Sequence, residues 1–178
     1  MRIGAFLGSF DPIHNDHLKV ISDVLNSKKV DRLLVVPAFH NPWKKHNPAP
    51  FGLRCMMIAA ATHPYLEMGA YLYPIESYLA KKDRPVYSYM TLNAIRKAYF
   101  PDDEFFIVCG EDVANVINKW AKYDEFIAPY WKPLVVKRPE GTCSSTEVRN
   151  RVKNKQDISM MVPESVNEII IENSLYGE

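Results

Sequence analysis

The chain predicts a three-layer α/β fold around a parallel sheet, and three observations carry that expectation. Short apolar runs alternate with longer stretches of helical periodicity. Those runs are punctuated by Pro, Gly or Asp, as buried parallel strands are. The first run also passes through a Gly-Ser turn straight into an amphipathic helix, the entry of a right-handed crossover.

Taken in order, the first strand covers 2–7 and the helix after it 16–27, with Leu18, Val20, Ile21, Val24 and Leu25 on one face. A second strand follows at 31–37. The 38–50 segment, rich in proline (Pro42, Pro48, Pro50, with Pro37 at its edge), reads as the loop most free to move. A helix at 51–62, a strand at 67–73, a helix at 87–99 and a strand at 104–109 continue the alternation. Periodicity then predicts a helix over 111–127 and a strand over 133–138. Ser144 or Ser145 is placed to cap a helix at 145–153 that holds Val148 and Val152, with Glu147 in its first turn. The last helix spans 164–173. In such a sheet, ligands belong at the carboxyl ends of the strands, near the switch in strand order.

Composition agrees. A chain of 178 residues, 47% hydrophobic, suits one domain (1–178) with a sizeable core. Lys plus Arg number 22 against 21 Asp plus Glu, which argues against a general nucleic-acid binder. Cys55, Cys109 and Cys143 are odd in number and unpatterned, so reduced thiols and a cytoplasmic setting are expected, with Cys109 as core filling. The chain begins at once with a strand, so no signal peptide is visible. No apolar run approaches membrane-spanning length either.

Chemistry concentrates in Gly8-Ser9-Phe10-Asp11-Pro12-Ile13-His14-Asn15-Asp16-His17. A strand turning into a helix sets backbone N–H groups and a helix dipole at one spot, which favours an anion. His14 and His17 stand at its edge. A chance surface pair and half of a metal site are the bland readings. Zinc would want further ligands, yet only Asp11 and Asp16 are near, and neither Cys-x-x-Cys nor His-Glu-x-x-His occurs. Phosphate handling is favoured. Asp11 and the histidines follow the first strand, Glu111-Asp112 the fourth, and Arg138 with Ser144–Arg149 the fifth, so all three groups project to one sheet edge. Alone, Ser144-Ser145-Thr146 is an ordinary helix cap. Its place after the last strand, with Arg149 one turn on, makes two helix starts that share a cleft with Lys44 and two imidazoles, large enough for a triphosphate.

These residues resemble a known signature. Leu7 to His17 is similar to the (Gly)-Gly-(Ser/Thr)-Phe-Asp-Pro-x-His-x-Gly-His motif of the nucleotidyltransferase superfamily, nearest to bacterial nicotinate mononucleotide adenylyltransferases. Val36-Pro37-Ala38 with Asn41-Pro42-Trp43-Lys44-Lys45 is similar to that family's Pro-Pro-His-Lys loop. Arg54-Cys55-Met56-Met57, Tyr87-Ser88-Tyr89-Met90-Thr91-Leu92, Gly110-Glu111-Asp112, Lys119-Trp120 and Cys143 to Arg149 match further motifs in order. So do Val162-Pro163 and Leu175-Tyr176 near the end. The likeness covers essentially the whole chain.

The resemblance implies a Rossmann-like fold of nucleotidyltransferase type and adenylyl transfer from ATP to a pyridine mononucleotide, releasing pyrophosphate. By the same likeness, His14 and His17 bind phosphate oxygens, Arg149 with Ser145 and Thr146 holds the β- and γ-phosphates, and Lys44 closes over them. Gly8, Ser9, Phe10 and Asp112 belong to the ATP site, Asp112 meeting the ribose. Mg2+ accompanies ATP without a protein cage. Trp120 stacks on the pyridine ring, a role weighed against plain helix packing, while Tyr89 and Thr91 shape the acceptor pocket. Nicotinate mononucleotide is the expected acceptor; nicotinamide mononucleotide is the alternative. Phosphopantetheine and cytidylyl transferases share the signature but lack the Lys-Trp and Leu-Tyr features. Asp16 stands where the family has Gly, Leu7 where it has the first Gly, Glu111 where it has Ala, and Trp43 where it has His. Asp16 and Glu111 support a second reading, a nucleotide-binding protein with weak or no catalysis. A homo-oligomer is implied only at family level.

Overall fold

The strand that opens the sequence lies in the middle of the sheet. The computed structural model describes residues 1–39, 48–81, 84–137 and 143–177. Among them β1 (Arg2–Gly8) pairs in parallel with β2 (Arg32–Pro37) on one side and β4 (Glu104–Cys109) on the other. With β3 (Ala70–Leu72) and β5 (Trp131–Val135) at the edges, the order is β3-β2-β1-β4-β5. The chain moves outward from β1 to β3, then crosses back to β4. The switch in strand order therefore falls between β1 and β4, where their carboxyl ends open a crevice.

Side chains of β2 show how the sheet is sandwiched. Leu33 and Val35 join one core, Leu34 and Val36 the other, and all four are essentially unexposed. The first core is closed by α1 (Asn15–Asn26), α2 (Phe51–Thr62), α6 (Ser145–Lys153) and α7 (Glu164–Glu172), through residues such as Ile21, Ile58, Val148 and Val166. The second is closed by α4 (Ser88–Lys97) and the segment after β4, through Leu92, Ile95, Ile117 and Ile127. This is the expected three-layer α/β fold, and Cys109 is core filling as expected, 5% exposed. Among the described residues no helix is long and apolar enough to cross a membrane.

Three expectations need correction. The 67–73 strand is reduced to Ala70–Leu72 because the chain turns through Gly69, whose φ of 102° and 2.7 Å approach of a would-be Cβ to the Asp31 carbonyl oxygen admit only glycine. The last strand begins at Trp131, not 133, because that buried ring pairs in register with Phe105, and it ends at Val135. The expected 111–127 helix is three pieces: α5 (Glu111–Ala114), a 3-10 turn at Ile117–Lys119 and a π-helical turn at Tyr123–Ile127. Lys122, left-handed at φ 56°, is a conformation that an α-helix cannot pass. Docking of Ile117, Trp120, Tyr123 and Ile127 on the second core overrides local helix propensity. One short helix, α3 (Glu76–Leu79), has no counterpart in the expected elements.

Candidate active site

The turn from β1 into α1 is shaped by close packing. A Cβ on Gly8 would sit 2.9 Å from the Phe10 ring, so glycine is required for approach, while the left-handed residue is Phe10 itself at φ 45°. Phe10 is 2% exposed, its ring edge-on to Phe6 and His17. It therefore offers a ligand backbone only. His14 caps α1 in extended conformation, and its N–H donates to Nδ1 of His17 at 3.3 Å. An Nδ1 that accepts leaves the Nε2 edge of the His17 ring to face outward as a donor. The two rings lie 3.7 Å apart, tilted by 30°. Burial pushes the His14 imidazole down from 6.5 to about 4, so it is neutral at neutral pH. The Asn15 N–H donates to the Met161 carbonyl at 2.8 Å, so the helix start is partly filled by protein. Donors for an anion must come largely from side chains.

Asp11 is the centre of this region. It is fully buried, and Oδ1 accepts from the Ala49 N–H at 3.0 Å and from the Tyr176 hydroxyl at 2.8 Å. Oδ2 lies 3.8 Å from Nη1 of Arg149. That same Nη1 donates to the Asp11 carbonyl at 2.7 Å, and Nη2 to the Thr146 hydroxyl at 3.2 Å. Ser145 donates to the Pro12 carbonyl at 2.9 Å, and Ser144 caps α6 by accepting from the Glu147 N–H. The starts of α1 and α6 thus meet on Asp11-Pro12, as the sequence leads one to expect.

A second charged group holds the neighbouring chain. Arg54, 2% exposed, donates to the carbonyls of Ser9, Ala38, Phe39 and Ala49 at 2.7 to 3.1 Å. Glu76, 4% exposed, accepts from the Phe39 N–H and from the Thr91 hydroxyl, both at 2.8 Å. Burial lowers the Arg54 pKa, offset most by the Asp11 charge, and raises that of Glu76, offset most by the hydrogen bonds from Phe39 and Thr91. Phe39 and Ala49 are therefore gripped on both their N–H and C=O groups. Lys44 and Arg138, expected near this site, lie outside the described residues.

Across the β1–β4 crevice the surroundings change. Asp112 is exposed in the first turn of α5, at the carboxyl end of β4. Trp120 and Tyr89 are half-buried against the second core. Tyr89 packs on Phe126 at 5.4 Å and stacks over Tyr87, and the Lys122 ammonium lies over both the Tyr89 and Phe126 rings. Thr91 is fully buried with its hydroxyl given to Glu76, so it can shape this side only from beneath. Among the described residues no group of three or more His, Cys, Asp or Glu converges as a metal cage requires.

Sequence reading met Arg54 and Tyr176 only as motif matches and passed over Glu76. A charged residue set inside an apolar stretch, as Arg54 is in α2, was the available signal.

Residues 5–151 match the cytidylyltransferase-like family. A Geobacillus kaustophilus protein named "Probable nicotinate-nucleotide adenylyltransferase" is 31% identical over 99% of this chain and 86% of its own. A Methylacidiphilum infernorum protein of the same name is 32% identical over 98% and 92%. The solved structure of Plasmodium falciparum nicotinic acid mononucleotide adenylyltransferase complexed with APC superposes with a TM-score of 0.77 at 18% identity, over 98% of this chain and 96% of that one. Its likeness bears on fold. With an ordered set of motifs, a matching sheet and relatives alike over their whole length, the chain belongs to the cytidylyltransferase-like family and, within it, to the nicotinate-nucleotide adenylyltransferases.

Proposed function

We propose that the chain transfers the adenylyl group of ATP to nicotinate mononucleotide. The acceptor's phosphate oxygen attacks the α-phosphorus of ATP, the bond to the β-phosphate oxygen breaks, and pyrophosphate leaves. The products are deamido-NAD and pyrophosphate. The observation that carries this reading is the meeting of α1 and α6 on Asp11, which sets two imidazoles and the half-buried Arg149 beside one another's elements. In-line phosphoryl chemistry needs alignment and charge neutralisation more than a nucleophilic side chain.

The imidazoles of His14 and His17 donate to phosphate oxygens as charge grows on them. Arg149, with Ser145 and Thr146, holds the β- and γ-phosphates. Gly8, Ser9 and Phe10 give the ATP site its backbone wall, and Asp112 meets the ribose. Lys44 is proposed as a further cation on its position in the sequence alone. On the far side of the crevice, Trp120 stacks on the pyridine ring and Tyr89 borders it, with Thr91 fixing the wall through Glu76. A divalent ion, proposed as Mg2+, shields the triphosphate charge and needs few protein ligands.

The test is pyrophosphate release from Mg-ATP, with nicotinate and nicotinamide mononucleotides compared. Turnover is expected with the nicotinate form, and His17→Ala should lower it by about a hundredfold or more. A loss smaller than about tenfold would remove His17 from the mechanism. A second reading, nucleotide binding with little turnover, has one observation in its favour. Asp16 places a carboxylate in the first turn of α1, at the same helix start. Tight ATP binding without pyrophosphate release from either acceptor would establish it.

A further inference from the structure

We propose that Glu76 is a positioning residue for adenylyl transfer, the joint that fixes the acceptor wall of the crevice against its ATP wall. The inference rests on the proposed function, with Ser9 on the ATP side and the start of α4 on the acceptor side.

Glu76 is buried, and no step of the transfer uses its carboxylate. A carboxylate is costly to bury and persists only where donors meet it. Its two oxygens serve different layers of the fold. Oε1 accepts from the Thr91 hydroxyl on α4, and Oε2 from the Phe39 N–H just beyond β2, both at 2.8 Å. The peptide that supplies this N–H is gripped from its other end as well. Its carbonyl, that of Ala38, accepts from Nη1 of Arg54 at 2.7 Å. The same Nη1 donates to the Ser9 carbonyl at 2.7 Å, in the turn from β1 to α1. Arg54 is also the cation whose charge favours the Glu76 carboxylate. Thr91, Glu76, one peptide, Arg54 and Ser9 thus form a single hydrogen-bonded line between the two walls.

The line ends where it bears on the acceptor. The Thr91 N–H donates to the Tyr87 carbonyl, so its side chain anchors the turn that carries Tyr87, Ser88 and Tyr89. Leu92 and Ile95 hold α4 on the second core, but apolar packing has no direction. A hydrogen bond to a carboxylate fixes both length and angle. In-line transfer is sensitive to such detail, since a misplacement of about 1 Å can cost about a hundredfold in rate. Without the joint each substrate still meets its own wall, while the two are misaligned with one another. The loss therefore falls on kcat and spares both KM values.

The experiment compares Thr91→Val, Thr91→Ser, Glu76→Gln and the Thr91→Val/Glu76→Gln double variant in the full chain. Valine keeps the buried volume without the hydroxyl, serine keeps the hydroxyl, and glutamine keeps one acceptor for Phe39. Pyrophosphate release from Mg-ATP with nicotinate mononucleotide gives kcat and both KM values, and melting temperatures report on the fold. Thr91→Val is expected to lower kcat about tenfold, with each KM within about twofold of the parent chain. Thr91→Ser is expected to keep most of kcat, and Glu76→Gln to lower it by about threefold. The double variant should fall no further than Thr91→Val alone, because one joint can be broken only once. A kcat within about twofold of the parent in both Thr91→Val and Glu76→Gln overturns the proposal, whatever the melting temperatures. So do equal losses in Thr91→Ser and Thr91→Val, or losses that multiply in the double variant. A parent chain that releases no pyrophosphate removes the proposed function first, and this proposal with it.

Discussion

The two sides of the β1–β4 crevice are built by opposite means. Where β1, α1 and α6 meet, buried charges are tied to backbone groups: Arg54 to four carbonyls, Asp11 to an N–H and a phenol, Glu76 to an N–H and a hydroxyl. On the far side, Tyr87 and Tyr89 at the start of α4 meet Phe126, Trp120 packs on the second core from a short turn, and the charges (Lys122, Glu125, Asp112) are exposed. The difference suits the ligands proposed for each side. Phosphate oxygens demand donors fixed in direction, whereas a flat ring demands an apolar surface that can adjust.

Breaking the stiff side should have the largest effect. Arg54→Met leaves four carbonyls and the Asp11 and Glu76 carboxylates without their buried cation. It should cost about 3 to 5 kcal/mol of stability, read by denaturant unfolding. Loss below about 1 kcal/mol would mean that the network is no stiffer than its aromatic counterpart.

A somewhat smaller effect comes from acid. His14 is held neutral down to about pH 4, whereas an unfolded chain takes up the proton near pH 6.5. Its contribution is whole above pH 6.5 and is lost as the pH falls toward 4, up to roughly 3 kcal/mol. His14→Asn should flatten that part of the stability profile, and an unaltered profile would show that the imidazole is not held neutral.

The smallest change is expected across the crevice. Lys122→Ala removes cation–ring contacts and a half-exposed pair with Glu125 at 3.6 Å, worth about 1 kcal/mol or less. A larger loss by thermal melting would show that this side is also held by charge.

The same contrast decides what the sequence disclosed. The β1 turn, the histidine pair and the Ser144 cap are legible because each is local: strand, turn and helix start lie within about a dozen residues, and capping uses near neighbours. Arg54 is not legible as a clamp, because its partners are carbonyls as far as 45 positions away, and any residue supplies a carbonyl. Glu76 hides for the same reason, on a helix of four residues too short to have a period. The 111–127 segment misleads because its apolar spacing suits a helix equally well. The non-helical Val116, the extended Trp120 and the left-handed Lys122 break it into turns.

The bond from Tyr176 to Asp11 joins positions 165 apart. In a nascent chain Asp11 emerges before every strand of the sheet but β1, and the sheet can assemble as each strand appears. Yet Asp11 waits until all five strands have appeared for one of its donors. A copy interrupted before residue 176 can possess every strand and both histidines and still carry an unfinished carboxylate at its centre. Arrival of Tyr176 is, for this protein, a step in completing the surroundings of Asp11.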